Sequence, residues 1–171
     1  MAEAVDKSGS WIACKPGCAS CCYGPFPITM LDAERLREGL GELERQDPAR
    51  AARVRRRSAR YIANLPGLPG DPAGGAVLEE WFDAYEDEQP CPALDPATGT
   101  CDLYVSRPIT CRVFGPAVRG EGGAVGTCEL CYEGAREEEI AACQVQPDPD
   151  GLERDLLGGD VRQTLVALAL R

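Results

Sequence analysis

The sequence predicts a mainly α-helical protein with one small β-hairpin, held together at a cluster of cysteines. Three observations predict it. Leucines and arginines recur at helical spacing over 29–64. An Asp-Pro turn with a glycine separates two short extended pieces near residue 97. Four cysteines fall within the nine residues Cys14-Lys15-Pro16-Gly17-Cys18-Ala19-Ser20-Cys21-Cys22. Buried packing does not explain that density, because Lys15, Pro16, Gly17 and Ser20 are poor core neighbours. Proline and glycine between the thiols predict a tight loop that turns several sulfurs toward one region.

Composition sets limits. A chain of 171 residues with 44% hydrophobic content has material for one ordinary core. We read 1–171 as one cysteine-cluster domain, with a helical insertion over 29–88 and a helical tail over 144–171. The net charge of −10 argues against nucleic acid or an anionic membrane as partner. No histidine is present, so no His base and no His metal ligand is available. The first ten residues lack an apolar signal core, which predicts a cytoplasmic, reducing setting. There, ten cysteines suit metal ligation or thiol chemistry better than a disulfide framework.

The elements follow in order. Pro25 and Pro27 forbid a helix just after the cluster. Thr29 is an N-cap and Asp32 the acidic first turn of a helix whose stripe is Leu31, Leu36, Leu40 and Leu43. Gly39 and Gly41 weaken that helix without ending it. Asp47-Pro48 is a cap followed by proline at the first helical position, so a second helix runs to about Asn64. Arg50, Arg53, Arg57 and Arg60 share a face of it, with Arg55 and Arg56 beside them. A solvated face is the plain reading of that run, and an anion patch the sharper one.

A Pro/Gly-rich linker follows over 65–75. A short acidic helix is expected over 76–88, with Leu78, Trp81, Phe82 and Tyr85 on its apolar face and its carboxylates pairing with the arginine helix. Cys91 and Cys101 flank the turn Asp95-Pro96-Ala97-Thr98-Gly99-Thr100, which predicts a hairpin bringing them near one another. A glycine-rich surface loop is expected from Arg119 to Thr127. Cys128-Glu129-Leu130-Cys131 opens an expected helix carrying Cys143. The segment after it is polar, and Asp160 caps a last expected helix with Val161, Leu165, Leu168 and Ala169 on its stripe.

The cysteine pattern carries a resemblance. Cys14-x3-Cys18-x2-Cys21-Cys22, Cys91-Pro92-x-Leu94, Gly99-x-Cys101-x-x-Tyr104, Arg107-Pro108-x-x-Cys111-Arg112-x-Phe114 and Cys128 together resemble the YkgJ-type cysteine-cluster family, described as zinc- or iron-chelating. The resemblance implies a metal-stabilised domain with Cys14, Cys18, Cys21, Cys22, Cys91, Cys101, Cys111 and Cys128 as ligands. A similar cluster occurs in flagellin lysine methylases, which makes an iron–sulfur enzyme or electron carrier the alternative role by analogy.

Chemistry agrees on metal. Thiolates suit zinc, copper(I) and iron–sulfur clusters. Without histidine, zinc needs about four thiolates per closed ion. Cys14, Cys18 and Cys21 in one run with a remote partner match iron–sulfur proteins better than separated zinc knuckles, so a cluster such as [4Fe-4S] stands ahead of zinc. Lys15, Arg107 and Arg112 stand beside ligand candidates, and two readings stand for them: cations that offset thiolate charge, or solvated surface residues. Adjacent side chains diverge in extended chain, so Cys21 and Cys22 are expected to serve different groups, and the eight ligands divide into two four-thiolate sites or surround one cluster. Cys131 and Cys143 are read as structural thiols. A disulfide framework and a Cys128/Cys131 oxidoreductase are the competing readings; a P-loop, a dinucleotide fingerprint and a Ser–His–Asp set are absent.

Overall fold

A computed structural model describes residues 2–65, 89–120, 125–160 and 162–171. The expected linker beyond Leu65, the acidic helix of 76–88 with its pairing to the arginines, and Val161 lie outside the described residues. Among the described residues the protein is mainly helical, with small two-stranded antiparallel sheets.

The chain opens with helix α1 (Ala2–Ser8) and a 3-10 turn over Gly9–Trp11. The cysteine loop then leads to strand β1 (Pro27–Thr29). Helix α2 (Met30–Gln46) starts where Thr29 predicts, its hydroxyl accepting from the Asp32 amide at 3.2 Å. Asp47 separates it from α3 (Pro48–Ala63) and accepts from the Arg50 amide at 2.9 Å. Each cap pairs one of the amides a helix start leaves without a partner, worth about 1 kcal/mol.

The two helices pack through matching stripes. Ala33, Leu36 and Leu40 are buried on α2, and Ala51, Val54, Ser58 and Tyr61 on α3. Full burial of each large aliphatic side chain stabilises by roughly 2–3 kcal/mol. Ser58 sits in an apolar stripe because its hydroxyl donates to the Ala167 carbonyl at 2.6 Å. Gly39 does more than weaken α2. A Cβ there would lie 2.2 Å from Ser106 Oγ, so the glycine admits the 3-10 turn Tyr104–Ser106 against the helix.

The hairpin forms as expected, from β2 (Leu94–Asp95) and β3 (Thr100–Cys101), with Leu94 opposite Cys101. Helix α4 (Ile109–Val113) carries Cys111. Its Ile109 amide donates to the Asp32 carboxylate at 3.0 Å, so Asp32 also fastens α2 to α4. Burial pushes the Asp32 carboxyl above its ordinary range. The expected loop of 119–127 is bounded by a ladder, β4 (Val118–Arg119) with β5 (Val125–Gly126).

Two expectations need correction. The helix after Cys131 starts only at Glu137: α5 is Glu137–Ala142, and Cys143 is its C-cap rather than a residue within it. The expected helical tail does contain α6 (Leu152–Leu157), whose start is held by Asp148 accepting from the Leu152 and Glu153 amides. The last expected helix, however, is in part a strand: Gln163–Leu165 is β6, paired antiparallel with β1 so that Ile28 faces Thr164, and the single turn α7 (Val166–Ala169) follows it. Leu165 therefore reaches the core from a strand. The pairing fits Pro27, which needs no donor at a strand edge.

The main core gathers Ile28, Leu36, Leu40, Val54, Leu94, Leu103, Val166 and Leu170. A second buried group is smaller: Ala117, Cys128, Cys131, Tyr132 and Cys143, with Trp11 and Ile12 against it.

Candidate metal centre

Backbone turns position the thiols. The Cys18 amide donates to Lys15 O and the Cys22 amide to Ala19 O, both at 2.9 Å, so the N-terminal loop is two successive turns. Gly17 has φ +89° and Gly99 φ +66°, and a Cβ on Gly99 would lie 3.0 Å from Gly17 O. These glycines let the cysteine loop rest directly on the hairpin turn. The Cys91 amide donates to Cys22 O at 2.8 Å and Gly24 N to Gln89 O at 2.9 Å, which lays Cys91 beside Cys22. Asp95 holds the hairpin turn through the Ala97 amide and the Thr98 hydroxyl.

Asp102, next to Cys101, is buried and takes ion pairs from Arg50 and Arg57. Two of the arginines thus leave the solvated face expected of them and clamp the hairpin.

The result is a chamber of about 510 Å³ whose wall includes Cys14, Cys18, Cys21, Cys22, Cys91, Cys101 and Cys111. Cys128 does not line it; it lies in the second buried group with Cys131 and Cys143. All ten cysteines are free thiols. Among the described residues, no three Cys, Asp or Glu side chains are grouped closely enough to hold one ion between them. The sulfurs surround a space rather than meet at a point.

Neighbourhoods within the set are distinct. Cys111 stands near Cys101 and Cys21, and Cys91 near Cys101 and Cys111. Burial pushes the Cys91 and Cys111 thiols up to about 12 and raises Cys101 as well. Cys21 and Cys22 hydrogen-bond to each other, which raises the Cys21 thiol strongly. The divergence expected of adjacent side chains is absent here, because the turn at Ala19–Cys22 brings both sulfurs to the same wall. Cys14 is exposed as a residue, yet its Sγ packs on Gly115, where a Cβ would come within 2.7 Å. Desolvation first, then Cys131, Cys18 and Cys128, push that thiol up to about 12.

Arg107 faces the chamber and lies near Cys21, Cys101 and Cys111. Its guanidinium carbon is 3.8 Å from the centre of the Tyr104 ring. Its Nε is buried and has no hydrogen-bond partner among the described residues. Arg112 is turned elsewhere, donating to Arg107 O and Val105 O.

A family model described as "CxxCxxCC: Putative zinc- or iron-chelating domain" matches residues 13–146. The chain belongs to that family. No curated protein and no solved structure matches it. In this CxxCxxCC protein the first gap holds three residues, Lys15, Pro16 and Gly17. The match takes in every cysteine. With its thiol set, the family description makes this a metal-binding protein of the zinc- or iron-chelating class.

The residues present fit such a group. The wall offers soft thiols and, among the described residues, no carboxylate. An unpartnered buried N–H on Arg107 calls for an anionic acceptor, which a thiolate-bound metal centre provides. Cys131, read from the sequence as a structural thiol, is buried in the second group near Cys14 and Cys128. Sequence reasoning missed Tyr132, held at φ +61°, whose amide donates to Trp11 O at 3.0 Å and draws 128–132 against the start of the cysteine loop.

Proposed function

We propose that this CxxCxxCC protein holds an iron–sulfur cluster in the thiol-lined chamber, with Cys21, Cys22, Cys91, Cys101 and Cys111 as its inner donors. One observation carries the reading: seven thiols face a space of about 510 Å³, and none of the described side chains close on a single ion. A polynuclear cluster takes ligands at several metal atoms, so it suits sulfurs that surround a volume. The orphan N–H of Arg107 supports the same reading, since a cysteine-ligated cluster carries net negative charge and hydrogen bonds to its sulfurs tune its potential.

When bound, such a cluster supplies one-electron transfer. The chain's own residues hold and insulate it. Phe26, Leu36, Leu94 and Val166 on the chamber wall keep part of it apolar. The ten free thiols suit a reducing, cytoplasmic location, and among the described residues no helix is long and apolar enough to cross a membrane. The β1–β6 pairing, which joins the end of the cysteine segment to the tail, supports reading 1–171 as one domain.

The test is anaerobic purification from iron- and zinc-replete cells, followed by metal analysis and an absorption spectrum. Bound iron with a broad visible band is expected, lost in Cys111→Ser. Arg107→Gln keeps iron and shifts the reduction potential downward, because a positive charge that favoured the reduced form is gone. Iron-free protein carrying only zinc overturns the cluster reading in favour of a zinc site.

A further inference from the structure

We infer that the mouth of the thiol-lined chamber binds a small organic anion, a carboxylate carried on an apolar body; the inference goes beyond the cluster reading and rests on it only for what fills the deep end. The chamber has two ends of different chemistry. Cys91 is buried, and Cys21, Cys22, Cys101 and Cys111 are half-buried. Lys15, Pro16, Gly17, Tyr104 and Phe114 line the same space and are exposed. None of the inner donors stands on that outer rim.

Charge is sorted at this opening. The chain carries 28 Asp and Glu and a net charge of −10, yet the wall holds two cations, Lys15 and Arg107, and among the described residues no carboxylate. Neither cation has an ion-pair partner among the described residues. No side-chain N–H of Arg107 finds an acceptor there either; its guanidinium rests on the Tyr104 ring. Arg112 donates to Arg107 O and Val105 O, and Arg35 donates to Val105 O at 3.2 Å, so two more cations stand behind the same turn. Burial first, then Arg35 and Arg107, lowers the Arg112 guanidinium from its ordinary range. The carboxylate near it, Asp32, is buried and already accepts from the Ile109 amide. A guanidinium presents a planar fork of N–H donors that matches a carboxylate. With its Nε–H turned to the inner centre, the Nη hydrogens of Arg107 remain for a ligand.

Shape supplies the rest of the specificity. Tyr104 and Phe114 are 61% and 48% exposed, and both line the chamber. Single exposed apolar residues are ordinary. Two aromatics at one cavity mouth, beside an unpaired guanidinium, are the parts of a ligand site. Such sites are concave, about 300–1,000 Å³ and mostly apolar, with a few polar groups that fix orientation. A chamber of about 510 Å³ with Phe26, Leu36 and Val166 on its wall meets that description. Its concavity favours a small molecule over the face of a partner protein. An apolar body on the two rings puts its carboxylate at Arg107, with Lys15 as the second cation. Arg107 stands near Cys21, Cys101 and Cys111, so the bound anion lies within electrostatic reach of the inner centre.

The experiment is anaerobic calorimetric titration of the full-length, metal-loaded protein, with iron content measured on the same samples. The probes are benzoate and hexanoate, an aromatic and an aliphatic carboxylate, against benzamidine and hexylamine, cations of matching shape. Saturable binding of at least one carboxylate is expected, weaker as salt rises, and none of the cations. Arg107→Gln should weaken it about tenfold or more, the scale of a lost charge-assisted hydrogen bond. Lys15→Gln should weaken it about twofold to fivefold and, lying on an exposed loop, serves if Arg107→Gln fails to fold. Arg53→Ala should leave it unchanged. Iron-loaded protein that binds neither carboxylate overturns the site while the cluster stands. Equal affinity for the cations, or full carboxylate affinity in both Arg107→Gln and Lys15→Gln, overturns it as well. So does binding of poly-glutamate without either small carboxylate, which would make the rim a docking patch for an acidic protein. Carboxylate binding with the expected losses in protein that holds no iron overturns the cluster and leaves the anion site standing.

Discussion

Arg57 grips the hairpin at two points, donating from Nε to Pro92 O at 2.8 Å and pairing through Nη2 with Asp102. The carboxylate is buried and Arg50 binds its other oxygen, while both guanidiniums keep some contact with water. Helix α3, which carries no cysteine, thereby sets the position of Cys91 and Cys101.

Removing that carboxylate should loosen the site as well as the fold. Asp102→Ala leaves two arginines that can turn to solvent, so its cost falls somewhat below that of orphaning a buried charge, at about 2–4 kcal/mol. Arg53→Ala, on the exposed face of the same helix, should change stability by less than about 0.5 kcal/mol. Denaturant melts of both variants check this, with metal content measured alongside. Equal stabilities would mean that the clamp contributes nothing.

Two glycines in α2 should respond with opposite sign. Gly41→Ala places its Cβ 3.9 Å from the flexible Arg45 guanidinium, so only the helix preference acts and stability should rise by about 0.5–1 kcal/mol. Gly39→Ala gains the same preference but drives a Cβ to 2.2 Å from Ser106 Oγ and 2.5 Å from its Cβ. That turn leads directly into Arg107 and α4, so a net loss of about 1–3 kcal/mol is expected, with weaker metal retention. A stabilised Gly39→Ala would refute the packing account.

What sequence alone disclosed was mostly local. Thr29 and Asp47-Pro48 announce their helices because a cap acts within four residues. The Asp95–Gly99 turn announces its hairpin for the same reason. Strand β6 was hidden, because Leu165, Leu168 and Ala169 have helical spacing and the partner strand lies at Pro27–Thr29, far away in sequence. Asp102 carries no local signal of its role, because its partners Arg50 and Arg57 stand on α3, 52 and 45 residues away in sequence. Cys131 lies outside the motif, and only the fold shows that Cys14 meets it.

Tyr132 anchors the second buried group through a directed chain of hydrogen bonds. Ser8 gives its only hydroxyl proton to Ala4 O at 2.6 Å, so Tyr132 must donate to Ser8 Oγ, also at 2.6 Å, and accept from Ala117 N at 2.9 Å. Tyr132→Phe leaves a buried amide without an acceptor and should cost about 1–3 kcal/mol. Ser8→Ala leaves the tyrosine hydroxyl without its acceptor and should cost about 1 kcal/mol, because the Ala117 amide keeps its partner. Thermal melts that rank Ser8→Ala as the more damaging would contradict this direction of donation.

Metal-free protein should be labile in alkali, and loaded protein should not. Burial holds the Cys91 and Cys111 thiols up at about 12 in the fold. In the unfolded chain a thiol ionises near about 8.5. Below that value both states keep their protons, so these groups contribute their full stability. As pH rises from about 9 toward 12 the unfolded chain sheds protons that the folded chain retains, and stability falls with each step. Metal reverses the logic, since bound sulfurs are already thiolates and acid must return their protons to release the ion. Denaturation midpoints of chelator-stripped protein should therefore decline from about pH 8 to about pH 11, while those of loaded protein stay level there and drop in acid. Replacing Cys91 and Cys111 together by alanine should flatten the alkaline decline of the stripped protein. A stripped protein whose midpoint holds constant or rises through that alkaline range would show that these thiols are not buried as neutral groups.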